Sequence, residues 1–151
     1  MELRENLVVL LVLVALMVGN ILLKRRRADR TPMEAAANLL ADINRNQKLA
    51  NDFQFNLKVK KFSIGSWQRN QKKMDFLDEP LKANLASAFS MAAEFNRDID
   101  LARKSKSSAY LSGLGVDKIR ESLARSKQGL EEWLRANAGK QPPFRRRGLF
   151  G

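Results

Sequence analysis

The chain has 151 residues, of which 44% are hydrophobic, and a formal net charge of +12 at pH 7. It contains no cysteine and no histidine, which excludes disulfide scaffolds, zinc fingers and catalysis by a thiol or an imidazole. Histidine is the usual acid or base near neutral pH, so we expect that the chain is not an enzyme. We infer no cofactor and no small-molecule substrate.

Residues 7–23 form an uncharged run in which only Gly19 and Asn20 interrupt the apolar side chains. At a rise of about 1.5 Å per residue, a helix of this length spans about 26 Å, enough for one membrane crossing. A cleaved signal peptide is disfavoured because the lead 1–6 is not positive and no small-x-small pattern follows the run. The sequence therefore predicts an uncleaved single-pass transmembrane helix.

Positive charge is distributed unequally on the two sides of this run. Five Lys or Arg residues lie within 24–30, whereas the N-terminal flank holds only Arg4. By the positive-inside rule, we expect the N-terminus outside the cell membrane and the C-terminal domain in the cytoplasm.

Three amphipathic helices are predicted after the anchor. The first begins at residue 31, where a Thr-Pro-Met-Glu sequence provides an N-cap and a proline in the first turn,. Its apolar side chains recur at steps of three and four residues, at Ala36, Leu40, Ile43, Ala50, Phe53 and Leu57,.

The second predicted helix begins after Asp78, and the third runs from near Asp117 to Gly139,. The second carries a seam over three heptads, formed by Leu81, Leu85, Ala88, Ala92, Phe95, Ile99 and Ala102,. The third carries Val116, Ile119, Leu123, Leu130, Trp133 and Leu134 on one side.

The connections between these helices are less regular. Residues 53–64 alternate apolar and polar side chains, which is the period of a strand,. No second alternating run is present to pair with them, so a helix that runs into an irregular loop is favoured over a short hairpin. Residues 104–115 are rich in Ser and Gly and predict a turn.

We therefore expect an all-α protein, with one N-terminal transmembrane helix, a small antiparallel bundle of about three helices and a basic flexible tail. An intermolecular coiled coil through the second helix is the alternative. The expected divisions are an extracytoplasmic N-terminus (1–6), the anchor (7–23), a basic juxtamembrane segment (24–30), the helical domain (31–139) and the tail (140–151).

Two groups of residues that suggest chemistry have a simpler interpretation. Glu94, Asp98 and Asp100 cluster on the second helix beside Arg97, and a solvated, charge-balanced face is favoured over a metal site,. Trp133 falls on the apolar stripe of the third helix, so we expect it in the core.

The basic residues form the candidate contact surfaces. The junction and the tail are expected to contact anionic lipid or an acidic partner, through Lys24, Arg25, Arg26, Arg27, Arg145, Arg146, Arg147 and Phe150,. The loop before the second helix is expected to contact a protein partner or phosphate, through Lys58, Lys60, Lys61, Trp67, Arg69, Lys72 and Lys73.

The predicted function is that of a membrane-anchored interaction or scaffold protein, which binds protein partners or itself at the inner membrane surface. The alternative is a membrane-tethered nucleic-acid-binding protein, in which Phe62 and Trp67 stack on bases. No nucleic-acid-binding motif is recognisable, so the lipid bilayer and a protein partner or homo-oligomer are favoured over nucleic acid.

Overall fold

The computed structural model describes Val14 and residues 31–140 of the chain. The described part holds four α-helices and no strand, which confirms the all-α prediction. The helices are α1 (Pro32–Asn51), α2 (Gly65–Asn70), α3 (Glu79–Lys104) and α4 (Val116–Asn137), with 3₁₀ helices at Gln71–Lys73 and Ser108–Leu111.

The predicted anchor (7–23, apart from Val14), the juxtamembrane segment (24–30) and residues 141–151 lie outside the described residues. Among the residues that are described, no helix combines the length and the hydropathy needed to cross a bilayer.

Two of the long helices begin at the capping residues that the sequence predicts. The Oγ1 atom of Thr31 accepts the N–H of Glu34 at 3.1 Å, at the start of α1. The Oδ1 atom of Asp78 accepts the N–H of Leu81 at 2.9 Å, at the start of α3. Each of these bonds satisfies one of the four N–H groups that a helix leaves without a partner in its first turn.

The predicted seam of α3 is buried within the single chain at every one of its seven positions. Its partners are α4 and the segment 52–78, which contributes Val59, Phe62, Met74 and Leu77 to the core. The seam is therefore already covered, and an intermolecular coiled coil through this face of α3 is excluded.

The buried face of α1 differs from the predicted stripe. It is formed by Ala35, Ala36, Leu39, Asp42, Ile43, Asn46 and Ala50, whereas Leu40 is half-buried and Leu57, beyond the end of the helix, is exposed. The face is rotated by about one residue, because it includes two polar side chains that bind the following segment.

Contacts along the helices fix their directions. Arg120, near the start of α4, donates to the carbonyl of Ala50 at the end of α1. A Cβ atom at Gly129, in the second half of α4, would come within 2.6 Å of Leu81 at the start of α3. The helix α4 is therefore antiparallel to both α1 and α3, and these two are parallel to each other.

The parallel arrangement of α1 and α3 corrects the prediction of about three consecutive antiparallel helices. Because α1 and α3 run the same way, residues 52–78 must return along the whole bundle, where they form a fourth pass. The predicted loop also contains the short helix α2. No side chain caps the start of this helix, so the sequence carries no capping signal for it.

The end of α3 carries an unusual backbone conformation. Lys106 has φ 51°, the only positive φ of a non-glycine residue in the described part. The N–H of Ser107 donates to Ala102 O at 3.0 Å and that of Lys106 to Arg103 O at 3.2 Å, which is the Schellman pattern,. This position favours glycine, because a left-handed conformation costs an L-residue about 1–2 kcal/mol.

We expect Lys106→Gly to raise the free energy of unfolding by about 1 kcal/mol, since glycine adopts this φ without steric cost. Urea denaturation followed by circular dichroism measures the change. The neighbouring Ser105→Gly is the control and is expected to lower stability by about 0.5–1 kcal/mol, because Ser105 has an α-helical backbone,. Equal effects of the two substitutions would contradict the argument.

Candidate interaction surfaces

The segment 52–78 is held between α1 and α3 by two asparagine side chains. Asn46 of α1 accepts the N–H of Ser63 at 2.6 Å and donates to the Ser63 carbonyl at 2.7 Å. Asn96 of α3 accepts the N–H of Phe62 at 2.7 Å and donates to the Phe62 carbonyl at 2.9 Å. Each amide thus satisfies both backbone polar groups of one residue, as a neighbouring strand would.

Asp42 anchors the next part of this segment and is 8% exposed, the only buried acidic residue in the described part. It accepts hydrogen bonds from the Ser66 N–H at 2.9 Å, the Ser66 hydroxyl at 2.5 Å and the Ser63 hydroxyl at 2.7 Å. Burial by itself raises the pKa of Asp42. The bonds from Ser66 and Ser63, with the charge of Arg45, outweigh burial and hold this pKa below its ordinary value of 3.8,.

The sequence patterns did not predict that Asp42 is buried. A signal was present, because Asp42 and Asn46 are four residues apart and flank the apolar Ile43, which places both beside the buried stripe,. A carboxylate whose pKa is lowered stays ionised at neutral pH, so Asp42 is suited to fix a loop and not to donate a proton.

The basic residues of the loop fall into two groups. Lys58, Lys60 and Lys61 lie near the ends of α1 and α3, and the Nζ of Lys61 pairs with Asp100 Oδ2 at 2.5 Å. Arg69, Lys72 and Lys73 follow Trp67, at the level of Ala86 on α3. Asp100 and Ala86 are 14 positions apart on one helix, which corresponds to about 21 Å along its axis.

Two of the three acidic residues that cluster on α3 form ion pairs. Besides the pair between Asp100 and Lys61, Asp98 lies 3.6 Å from the Nε of Arg97.

The two tryptophans both pack on the core. Trp67 stacks on Phe89 with ring centroids 5.4 Å apart and planes at 8°, so one face of its indole is covered. Trp133 is half-buried, contacts the ring of Phe76 at 5.1 Å and donates its Nε1–H to the Phe76 carbonyl at 3.2 Å. Trp133 was expected in the core; it packs against the core but is not fully buried, and part of its surface remains open.

One end of the bundle is both aromatic and basic. Phe55 is 52% exposed, Leu57 37% and Tyr110 49%. They lie near the small cluster of Val59, Ile99, Ala102 and Leu111, since Phe55 contacts Phe53, which packs on it, Arg103 of α3 donates to the Leu57 carbonyl, and Tyr110 precedes Leu111. Exposed basic side chains at this end include Lys58, Lys60, Lys104 and Lys106. We call these seven exposed residues the aromatic-basic end; the sequence patterns pointed to Lys58 and Lys60 alone.

The opposite end of the bundle carries an open groove of about 1010 Å³. Most of its surface is apolar and comes from Met33 of α1, Phe76, and Trp133 and Leu134 of α4. We call it the end groove. Thr31 and Lys140, the first and last residues of the described range 31–140, also line it. Both connections to the rest of the chain therefore leave the bundle beside the end groove.

The eight residues predicted to contact lipid, at 24–27, 145–147 and 150, lie outside the described residues. No protein-family model matches the chain, and comparison with curated proteins and with solved structures finds no significant match.

We expect Asp42→Asn to lower the free energy of unfolding at pH 7 by about 2 kcal/mol. The amide that replaces the carboxylate cannot accept the hydrogen bonds from Ser63 and Ser66 as a carboxylate does. The pKa of Asp42 is lower in the folded state than in the unfolded state. Its contribution to stability is therefore fully present above the pKa of the unfolded state and is lost as the pH falls through the pKa of the folded state,. The difference between the two proteins should therefore shrink below about pH 4.

Urea titrations at pH 7 and at successive lower pH values measure this difference. The substitution Asp52→Asn, at an exposed position on the end of α1, is the matched control and should change stability by less than about 0.5 kcal/mol. A gap between wild type and Asp42→Asn that persists unchanged in acid would show that the carboxylate is not responsible.

Proposed function

We propose that the chain is a single-pass membrane-anchored helical interaction protein, which binds protein partners or itself at the inner surface of the cell membrane. The observation that carries the proposal is that Thr31 and Lys140 lie at the same end of the bundle, beside the end groove. The predicted anchor and the basic tail thus leave from one side, and the other end is free for a partner.

The length of the linker supports this orientation. Seven residues, 24–30, separate the predicted anchor from α1, and an extended chain covers at most about 25 Å over this length. The end groove would then stay close to the headgroups, together with the basic side chains of 24–27 and 145–147. Each basic residue near an anionic surface contributes about 1 kcal/mol.

In the proposed orientation, the length of α3 would separate the aromatic-basic end from this surface. Its 26 residues correspond to about 39 Å of helix. Exposed aromatic side chains are enriched at the centres of protein interfaces, and the surrounding lysines favour an acidic partner. Phe55 and Tyr110 are therefore the residues that we expect to contact the partner directly.

Nucleic-acid binding stays the alternative prediction, and the described geometry adds little to it. The basic residues of the loop form two groups about 21 Å apart along α3, and the indole of Trp67 is stacked on Phe89. A single-stranded nucleic acid requires open aromatic faces along one continuous basic path.

The orientation predicts that the bundle is shielded from the outside of the cell. The chain has no cysteine, so Ala124→Cys, at an exposed position on α4, gives one defined thiol. We expect a membrane-impermeant maleimide to label it only after lysis of the cells. Labelling of intact cells would place the domain on the outer side and contradict the proposal.

The partner surface is tested by photo-crosslinking in intact cells. Benzoylphenylalanine in place of Tyr110 should give discrete adducts, because this side chain is exposed at the aromatic-basic end. The same group in place of Ala86, on the side of α3, is the positional control.

Charge reversal separates the two basic groups of the loop. Lys58→Glu with Lys60→Glu should abolish the adducts from position 110, whereas Lys72→Glu with Lys73→Glu should leave them unchanged. Adducts that are equally strong from position 86, or that persist after the first pair of substitutions, would contradict this assignment of the surface.

A further inference from the structure

The end groove has the properties of a preformed binding site. Its volume of about 1010 Å³ is at the upper end of the range of about 300–1,000 Å³ that is typical of ligand pockets. Its floor is fixed, because Trp133 donates to the Phe76 carbonyl and the two rings are in contact. Met33 and Leu134 add half-buried apolar surface that nothing in the described part of the chain covers.

We propose that this groove binds the C-terminal segment of the same chain, residues 141–151, with Phe144 and the pair Leu149 and Phe150 as the side chains that enter it. The proposed contact is independent of the membrane anchor, because it involves only the bundle and the segment that follows the bundle.

Chain length supports this occupant. Lys140 lines the groove, and Phe144 is four residues further along, a reach of at most about 14 Å. A short tether of this kind gives an effective concentration in the millimolar range, so that even weak apolar contacts suffice for occupancy.

The composition of the segment supports it as well. The segment contains Pro142 and Pro143, and proline disfavours helix and favours extended backbone conformations,. This restriction lowers the entropy that the segment loses when it binds. The three arginines at 145–147 lie between the apolar side chains and would remain at the rim, where Glu34 lines the groove.

A pair of engineered cysteines tests the proposal in the full-length chain, in lipid nanodiscs or in buffer if it purifies without lipid. Ala37→Cys places a thiol in the end groove, and Gly148→Cys places one in the tail. The control pairs Gly148→Cys with Ala86→Cys, an exposed alanine on another face at a similar distance from its helix start.

We expect the disulfide to form about ten-fold faster in the first pair than in the control, since binding raises the local thiol concentration. Replacing Phe144, Leu149 and Phe150 by Ser should reduce the rate to that of the control. Equal rates in the two pairs, or a rate that does not respond to the three serines, would overturn the proposal.

Fluorescence distinguishes the tail from a bilayer as the occupant. The chain has two tryptophans, so Trp67→Phe leaves Trp133 as the sole reporter in the groove. Removal of residues 141–151 should shift its emission to the red in the full-length background. Quenching of Trp133 by brominated phospholipid that is equally strong with and without the tail would show that lipid covers the groove, and would overturn the proposal.

Discussion

The bundle depends on the two asparagines that hold residues 52–78 between α1 and α3. This segment buries Val59, Phe62, Met74 and Leu77 but contains no helix before α2. A buried backbone group without a partner costs about 1–3 kcal/mol, so an irregular segment in the interior needs side chains to supply its hydrogen bonds. Asn46 and Asn96 supply four of them to adjacent residues. Asp42 continues the same role at the start of α2.

The position of residues 52–78 also determines where the chain enters and leaves the bundle. An up-and-down bundle of three helices places its two ends at opposite poles. Here the return of 52–78 adds a fourth pass, so that Thr31 and Lys140 lie side by side at the end groove. The same four hydrogen bonds, which hold this return segment in place, therefore help to keep the aromatic-basic end away from both connections.

The long helices were predictable from local signals, and the contact surfaces only in part. Thr31 and Asp78 cap α1 and α3 as their sequences predict, and the seam of α3 is buried at every position. Asp42 was not predicted to be buried, because its partners Ser63 and Ser66 follow it by 21 and 24 residues. The end groove combines residues about a hundred positions apart, such as Met33 and Trp133, and no periodicity along a chain reveals such a pairing. Lys61 was predicted to contact a partner or phosphate, and its pairing with Asp100, 39 residues later in the chain, was not predicted.

The antiparallel contact between α1 and α4 has a consequence for how the protein is made. Arg120 donates to Ala50, a residue that the ribosome adds 70 positions earlier. At a synthesis rate of about 5–20 residues per second, about 4–14 s separate the synthesis of Ala50 from that of Arg120. The hairpin of α3 and α4 has short-range contacts, and the contacts of α1 with Ser63 and Ser66 are closer in sequence than its contact with Arg120,. The part of α1 that packs on α4 thus stays uncovered for seconds during synthesis, and in this interval aggregation or capture by a chaperone competes with folding.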